Sequence, residues 1–302
     1  MSIKQLSCIA LLFIAGHSAQ AQSDSLLNLL NDSLTSSAKA SVITGTFKAT
    51  HIINMQTIEA PAAGALNVMI QHRFGQLNSG SYNFFGLDNA SLRLGLDYGI
   101  TDRLAVGIGR SSTQKTFDGY LKYKLLRQTE GPHALPVSLS LLGTISNYTQ
   151  EYPDKTYLNA RYRTAYTAQL LIARKFNRLL SIQIVPTYLH YNLVPTVNDK
   201  NDVFAISGGA RVKITKRMSI NAEYNYLPPN QLVSMDLHNS FSLGWDIETG
   251  GHVFQLVFSN SQSMIETQYI GQTTGRWSKG DIYFGFNISR NFNLGKHTKQ
   301  KG

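Results

Sequence analysis

The sequence predicts an all-β chain: a transmembrane, antiparallel, up-and-down β-barrel of about 12 strands with a short N-terminal periplasmic or plug segment. Three observations predict it. From Gly64 almost to the C-terminus, apolar residues recur at every second position, which is the period of a strand and not of a helix. After residue 21 no stretch stays apolar for the ~18 residues that a transmembrane helix needs, whereas spanning strands of about 10 residues show lipid only every second side chain. The connections also alternate between tight and long, the asymmetry of a barrel with turns on one side of a membrane and loops on the other.

The N-terminus reads MSIKQLSCIALLFIAGHSAQA, with a lysine, an apolar run from Leu6 to Ala15 and a small-x-small site at Ala19-Gln20-Ala21. This is the pattern of an export signal covering residues 1–21, and the run is too short to span a bilayer. Cys8, the one cysteine, lies inside it, so the mature chain is expected to carry no disulfide and no thiolate-held metal. The formal charge of the whole chain is +10. The basic residues are dispersed along an exported chain, which favours anionic lipid headgroups or solutes over nucleic acid as partners.

Residues 22–63 are expected to form a periplasmic leader and plug. Within them, 22–41 combine Ser, Asp and Asn with Leu26, Leu27, Leu29, Leu30 and Leu34, the composition of a solvated tether or short helix. Residues 42–63, VITGTFKATHIINMQTIEAPAA, keep no strand period. Phe47, Ile52, Ile53 and Ile58 make them too apolar for a free tether, and Lys48, His51 and Glu59 make them too polar for a lipid-facing strand. Such a mixture suits a segment folded into the barrel mouth; a pair of short strands outside the wall is the rival.

The barrel is expected over 64–292, followed by a basic tail at 293–302. Its strands pair an apolar row with a polar one. Leu66, Val68, Ile70, His72 and Phe74 alternate with Asn67, Met69, Gln71 and Arg73; Leu92, Leu94 and Leu96 alternate with Arg93, Gly95 and Asp97. The same division sets Leu121 and Tyr123 against Lys122 and Lys124, Tyr162 and Tyr166 against Arg161 and Arg163, and Val212 and Ile214 against Arg211 and Lys213. Further on it sets Tyr224 against Glu223 and Trp245 against Asp246. Leucines toward lipid and charges toward the lumen is the stable orientation, since a charge in mid-bilayer hydrocarbon costs ~2–4 kcal/mol.

Tight gaps at 101–103, 177–178, 215–217 and 249–251 alternate with long ones at 75–87, 148–159, 192–202 and 261–279. Both termini are thereby expected in the periplasm. Aromatics cluster where the apolar rows start or stop, at Phe74, Tyr98, Phe117, Tyr162, Phe176, Tyr188, Phe204, Tyr226 and Phe241, the places of interfacial girdles. A β-sandwich of about 12 strands has no reason to ring its strand ends in this way.

HRFG at 72–75, FFGLDNASLRLGLDYGITDRLAVGIGRSS at 84–112, DGYLKYKLLRQ at 118–128 and PVSLSLLG at 136–143 resemble a family of outer-membrane β-barrels from Bacteroidetes bacteria whose function is unknown. The resemblance runs from about Thr46 to Phe292. It implies a barrel in the bacterial outer membrane among lipid and lipopolysaccharide, and it brings no catalytic or binding residues.

The inward rows hold an excess of cations. Arg73, Arg93, Lys122, Lys124, Arg161, Arg163, Lys175, Arg211 and Lys213 face Asp97, Asp118, Glu223, Asp246 and Glu248. Rings of Arg or Lys select anions in pores, so the first expectation is a narrow channel for small, anionic solutes lined by these side chains. An internal salt-bridge network that merely fills a barrel of middling width is the bland account. A structural barrel that docks a periplasmic protein through the leucine-bearing leader, and a transporter of small hydrophobic compounds, are the alternatives. His238-Asn239-Ser240 has the spacing of a histidine-activated serine, yet on a polar strand end it gives lipid hydrolysis little weight. The histidines show no close pair at metal-ligand spacing, and no cofactor is expected.

Overall fold

The computed structural model describes residues 41–294; the expected export signal, the leucine cluster of the expected leader and the basic tail from residue 295 lie outside the described residues. Residues 41–130 and 134–294 form one compact unit. Its wall is twelve strands: β1 (Ala65–Gln76), β2 (Ala90–Gly99), β3 (Leu104–Ser111), β4 (Thr116–Leu126), β5 (Ser138–Tyr148), β6 (Thr164–Lys175), β7 (Leu180–Tyr191), β8 (Asp202–Lys213), β9 (Met218–Tyr226), β10 (Ser240–Thr249), β11 (His252–Ser259) and β12 (Tyr283–Asn293). Each pairs antiparallel with its neighbours in sequence, and β12 returns to β1 with Ile288 opposite Ile70, so the barrel is closed. Closure leaves no unpaired sheet edge, the condition for a β-structure to stand in hydrocarbon. No helix of the described residues is long and apolar enough to cross a membrane.

The alternation read from the sequence is the alternation of the wall. In β2 the outward Leu92, Leu94 and Leu96 are 37, 51 and 43% exposed, while the inward Arg93 and Asp97 are 4 and 2% exposed. A wide apolar belt with a polar interior is the inverse of a water-soluble core, and only a lipid surrounding makes it stable. On the belt, His72 stacks on Phe286 at 4.9 Å between ring centroids, and Phe74 stacks on Phe284 at 5.8 Å. These pairs lock β1 to β12 across the point of closure.

The connections divide as expected with two exceptions: β3 and β4 are joined by only 112–115, and β4 and β5 by the longer 127–137. The second exception has a local cause at the short-turn end. There Ser41 and Val42 pair with Glu130 and Thr129 as a two-residue ribbon, and Ile43 N–H donates to the Gln128 carbonyl at 2.8 Å. The ribbon marks where the N-terminal segment arrives at the barrel.

Candidate functional site: a lumen filled from both ends

Residues 46–58 run inside the barrel, and the side chains of Thr46, Phe47 and every residue from Thr50 to Ile58 are buried. The segment folds back on itself as a tight hairpin. Ile52 N–H donates to the Met55 carbonyl at 2.8 Å, Thr57 N–H donates to the Thr50 carbonyl at 2.9 Å, and His51 pairs with Gln56. A hairpin tip leaves backbone groups unpaired, and buried ones must find partners elsewhere.

The wall provides those partners. The Glu223 carboxylate of β9 accepts from three consecutive backbone N–H groups, those of Ile53 (3.2 Å), Asn54 (3.0 and 3.1 Å) and Met55 (3.0 Å). Gln183 of β7 accepts from Ile58 N–H at 3.0 Å and donates to the Gln56 carbonyl at 2.7 Å. The Ile52 carbonyl accepts from Gln255 of β11, and the Ile53 carbonyl accepts from Asn287 of β12 at 2.9 Å and Gln71 of β1 at 3.4 Å. The apolar half of the hairpin is seated as well: Phe47, Ile52, Ile53, Met55 and Ile58 form one buried cluster with Leu142, Leu171, Val185 and Val257.

The sequence-predicted lumenal charges divide between this seat and the wall. Arg73 donates to the Asn54 and Asn287 side-chain oxygens at 2.8 and 2.9 Å. Lys122 donates to the Thr57 and Glu59 carbonyls at 2.9 and 3.0 Å. Both are 0% exposed, so they hold the hairpin and do not line an open path. Asp97 accepts from Thr50 and Asn67 at 3.0 and 2.9 Å.

Arg93 pairs with Asp118, and Arg211 pairs with Glu248 at 2.7 Å. Asp246 accepts from Ser219 and Gln255. Lys48 is exposed but reaches Glu248 at 3.1 Å, and Glu59 accepts from Phe47 N–H at 3.2 Å. Lys124 and Lys213 are half-buried near the short-turn end. Arg161 departs from the expectation. It is exposed in the connection before β6, where its carbonyl closes a turn with Thr164 N–H at 3.2 Å, so the strand begins after it. Arg163 stands at the long-loop rim.

The long-loop end is filled by the connection 260–282, a feature that the strand pattern does not announce. Helix α1 (Glu266–Gly271) is buried in all six residues. Tyr269 and Ile270 pack on Leu189, Val203 and Ala205 of β7 and β8. Thr267 hydrogen-bonds Ser146 at 2.9 Å, and Gln268 donates to Thr116 at 3.0 Å. The signal available in the sequence is Met264, Ile265, Tyr269 and Ile270, four large apolar residues in a stretch long enough to be a solvated loop.

His238 and Ser240 do not form a nucleophile pair. His238 Nε2 is occupied by the Arg276 guanidinium, and the Ser240 hydroxyl is buried without a hydrogen-bond partner.

A closed twelve-strand barrel with an apolar belt and a polar, filled interior is a membrane-spanning β-barrel. The chain belongs to the family of membrane-bound β-barrel domains (DUF5777), whose model matches residues 47–292. None of the curated proteins matches the sequence. Among solved structures it is similar to the NanC porin, with TM-score 0.48, 11% identity, and coverage of 75% of this chain and 98% of that one. It is also similar to an outer-membrane channel from Pseudomonas putida F1, with TM-score 0.45, 13% identity, and coverage of 78% and 97%. A third is outer membrane phospholipase A from Escherichia coli, with TM-score 0.45, 10% identity, and coverage of 78% and 92%.

Proposed function

We propose that the protein is an outer-membrane transport channel for small solutes whose closed form is held by the hairpin 46–58. The short-turn end and both termini face the periplasm in this reading. The observation that carries it is the Glu223 clamp: one carboxylate on the wall binds the three backbone N–H groups at the tip of a segment that enters through a mouth. Hydrogen bonds of this kind exchange with water when a segment withdraws, so their net worth is far below their gross strength. The hairpin is held by these bonds and by its buried cluster of Phe47, Ile52, Ile53, Met55 and Ile58, whereas a wall side chain is fixed to a hydrogen-bonded strand.

Withdrawal leaves Arg73, Arg93, Lys122, Lys124, Lys175, Arg211 and Lys213 on inward positions against Asp97, Asp118, Glu223, Asp246 and Glu248. A surplus of cations on the bare lumen supports a preference for anions.

The test is conductance in planar bilayers for the full chain and for a truncation starting at Gly64. The truncation is expected to show larger discrete openings, with a reversal potential in a KCl gradient that favours Cl⁻, while keeping the heat-modifiable gel mobility of a folded barrel. Equal conductance from a folded truncation overturns the gate, and a cation-selective reversal potential overturns the anion preference.

A further inference from the structure

Between the long loops, above helix α1, lies a cavity of about 480 Å³, a volume suited to a small organic molecule. Its lining includes Tyr148, Tyr152, Tyr157, Tyr162 and Tyr191 beside aliphatic side chains such as Leu158 and Met235. Two cations, Arg163 and Lys155, stand among them, and no carboxylate belongs to the lining. Aromatic rings that present a flat apolar face and a hydroxyl are suited to a ligand with the same two-sided character.

Neither cation has an ion-pair partner among the described residues. Each stands over a ring instead: Arg163 lies 5.8 Å from the centroid of Tyr148, and Lys155 lies 5.2 Å from that of Tyr152. The Nε–H of Arg163 is buried and makes no hydrogen bond. On the floor, Gln268 donates its amide to Thr116 and Gln114 while its carbonyl oxygen is buried without a donor. The Arg163 Nε–H is a buried donor with no acceptor, a standing cost that a ligand oxygen drawn onto the guanidinium removes, whereas the Gln268 carbonyl needs a donor and does not attract a carboxylate. A carboxylate suits a guanidinium best because it accepts two parallel N–H bonds.

We infer that this cavity is a binding site for a small aromatic carboxylic acid, its ring among the tyrosines and its carboxylate on Arg163. The inference deepens the transport reading by naming a solute class. Binding itself stands without that reading, and only passage of the bound acid through the barrel rests on it.

Isothermal titration of the detergent-solubilised full chain with phenylacetate tests it, beside acetate, which has no ring, 2-phenylethanol, which has no charge, and maltotriose. Phenylacetate is expected to bind saturably at one site, at least ~10-fold more tightly than the other three probes. Arg163→Gln is expected to weaken it by ~10-fold or more, and Leu193→Trp, which fills the cavity from an exposed loop position, to abolish it. Gel mobility with and without heating confirms that each variant is folded.

Absence of saturable phenylacetate binding, binding indifferent to both variants, or tighter binding of maltotriose overturns the site. Phenylacetate binding alongside a truncation that conducts no better than the full chain upholds the site and overturns the gate, so the two failures are distinguishable.

Discussion

Glu223→Gln removes the charge from the clamp while keeping its size. The carboxylate accepts three backbone N–H groups at 3.0 to 3.2 Å from residues that are themselves buried, and a hydrogen bond to a charged group is worth about 1.5–3 kcal/mol net. The amide of Gln retains one accepting oxygen and turns an NH₂ group toward the remaining N–H donors. One to two of the three bonds are thereby lost, and the seated hairpin is weakened by about 3 kcal/mol. That is about two decades in the equilibrium between seated and withdrawn segment. Thr57 is 0% exposed in the seated hairpin, so a cysteine placed there reacts only when the hairpin leaves. In a Cys8→Ser background, Thr57→Cys is expected to react with a maleimide about 100-fold faster when Glu223→Gln is added, because opening precedes labelling. The folded barrel is monitored by gel mobility throughout. Labelling rates within about threefold of each other in a folded protein would show that Glu223 does not set the closure.

Three further outcomes concern other parts of the wall and loops. The carboxyl of Glu266 on α1 is pushed up to about 7, first by burial and next by the nearby Asp118 charge, with Arg93 and Lys122 pulling the other way. Folded Glu266 therefore binds a proton more tightly than unfolded Glu266. It favours the packed loop as pH falls from about 7 toward the ordinary carboxylate range, and it loosens the loop as pH rises through about 7. Hydrogen exchange of 260–282 is expected to speed up between about pH 5 and about pH 7 beyond the intrinsic pH effect, and Glu266→Gln to remove that step; the opposite trend refutes the assignment. Asp199 accepts from the Thr196, Val233 and Ser234 backbone N–H groups, tying the loops 192–201 and 227–239 together. Burial raises its pKa, but these bonds outweigh burial and hold it below the usual range, so its contribution is full above the ordinary carboxylate range, shrinks as pH falls through that range, and is gone below its own lowered pKa. Asp199→Asn is expected to cost ~1–3 kcal/mol of local stability, read as lost exchange protection in both loops; unchanged protection refutes the tie. Leu94→Arg on the belt is expected to cost ~2–4 kcal/mol against refolding into lipid vesicles, measured by urea titration, and a neutral effect would mean that this row does not face hydrocarbon.

The wall is legible in the sequence because a strand shows its two faces as two interleaved rows, and a row of leucines beside Arg93 and Asp97 leaves one stable orientation. Residues 42–63 are legible as a misfit, too apolar for water and too polar for lipid. Their seat is not legible. Glu223, Gln183, Gln255 and Asn287 look like any inward polar residues until the barrel closes and brings β7, β9, β11 and β12 around one hairpin. The cations Arg73 and Lys122 read as pore lining for the same reason, since their partners are backbone carbonyls and side-chain amides that no sequence pattern displays. Arg161 is misplaced by the pattern because alternation continues past the end of a strand when the connecting turn happens to begin with alternating residues.

The wall is shaped to the segment that fills it. A barrel that packs its own interior does so with large inward side chains, whereas here the inward positions along the hairpin's path include glycines. A Cβ at Gly209 of β8 would stand 2.3 Å from the Ile52 Cδ1 and 2.6 Å from the Met55 Cε. A Cβ at Gly99, at the end of β2, would stand 2.1 Å from the Ala62 carbonyl oxygen, where the chain passes from the hairpin toward β1. Neither glycine has a positive φ, so no turn accounts for them, and what they supply is room. The segment 46–62 thus occupies space that wall side chains would otherwise fill. Its withdrawal leaves a groove along β8 and β2 and not a collapsed interior, because a hydrogen-bonded wall cannot close inward over the missing volume without breaking its ladder. That is what the proposed gate requires at this end of the barrel, the long-loop end being filled by the connection 260–282: a part whose removal leaves room that the remaining wall is unable to fill.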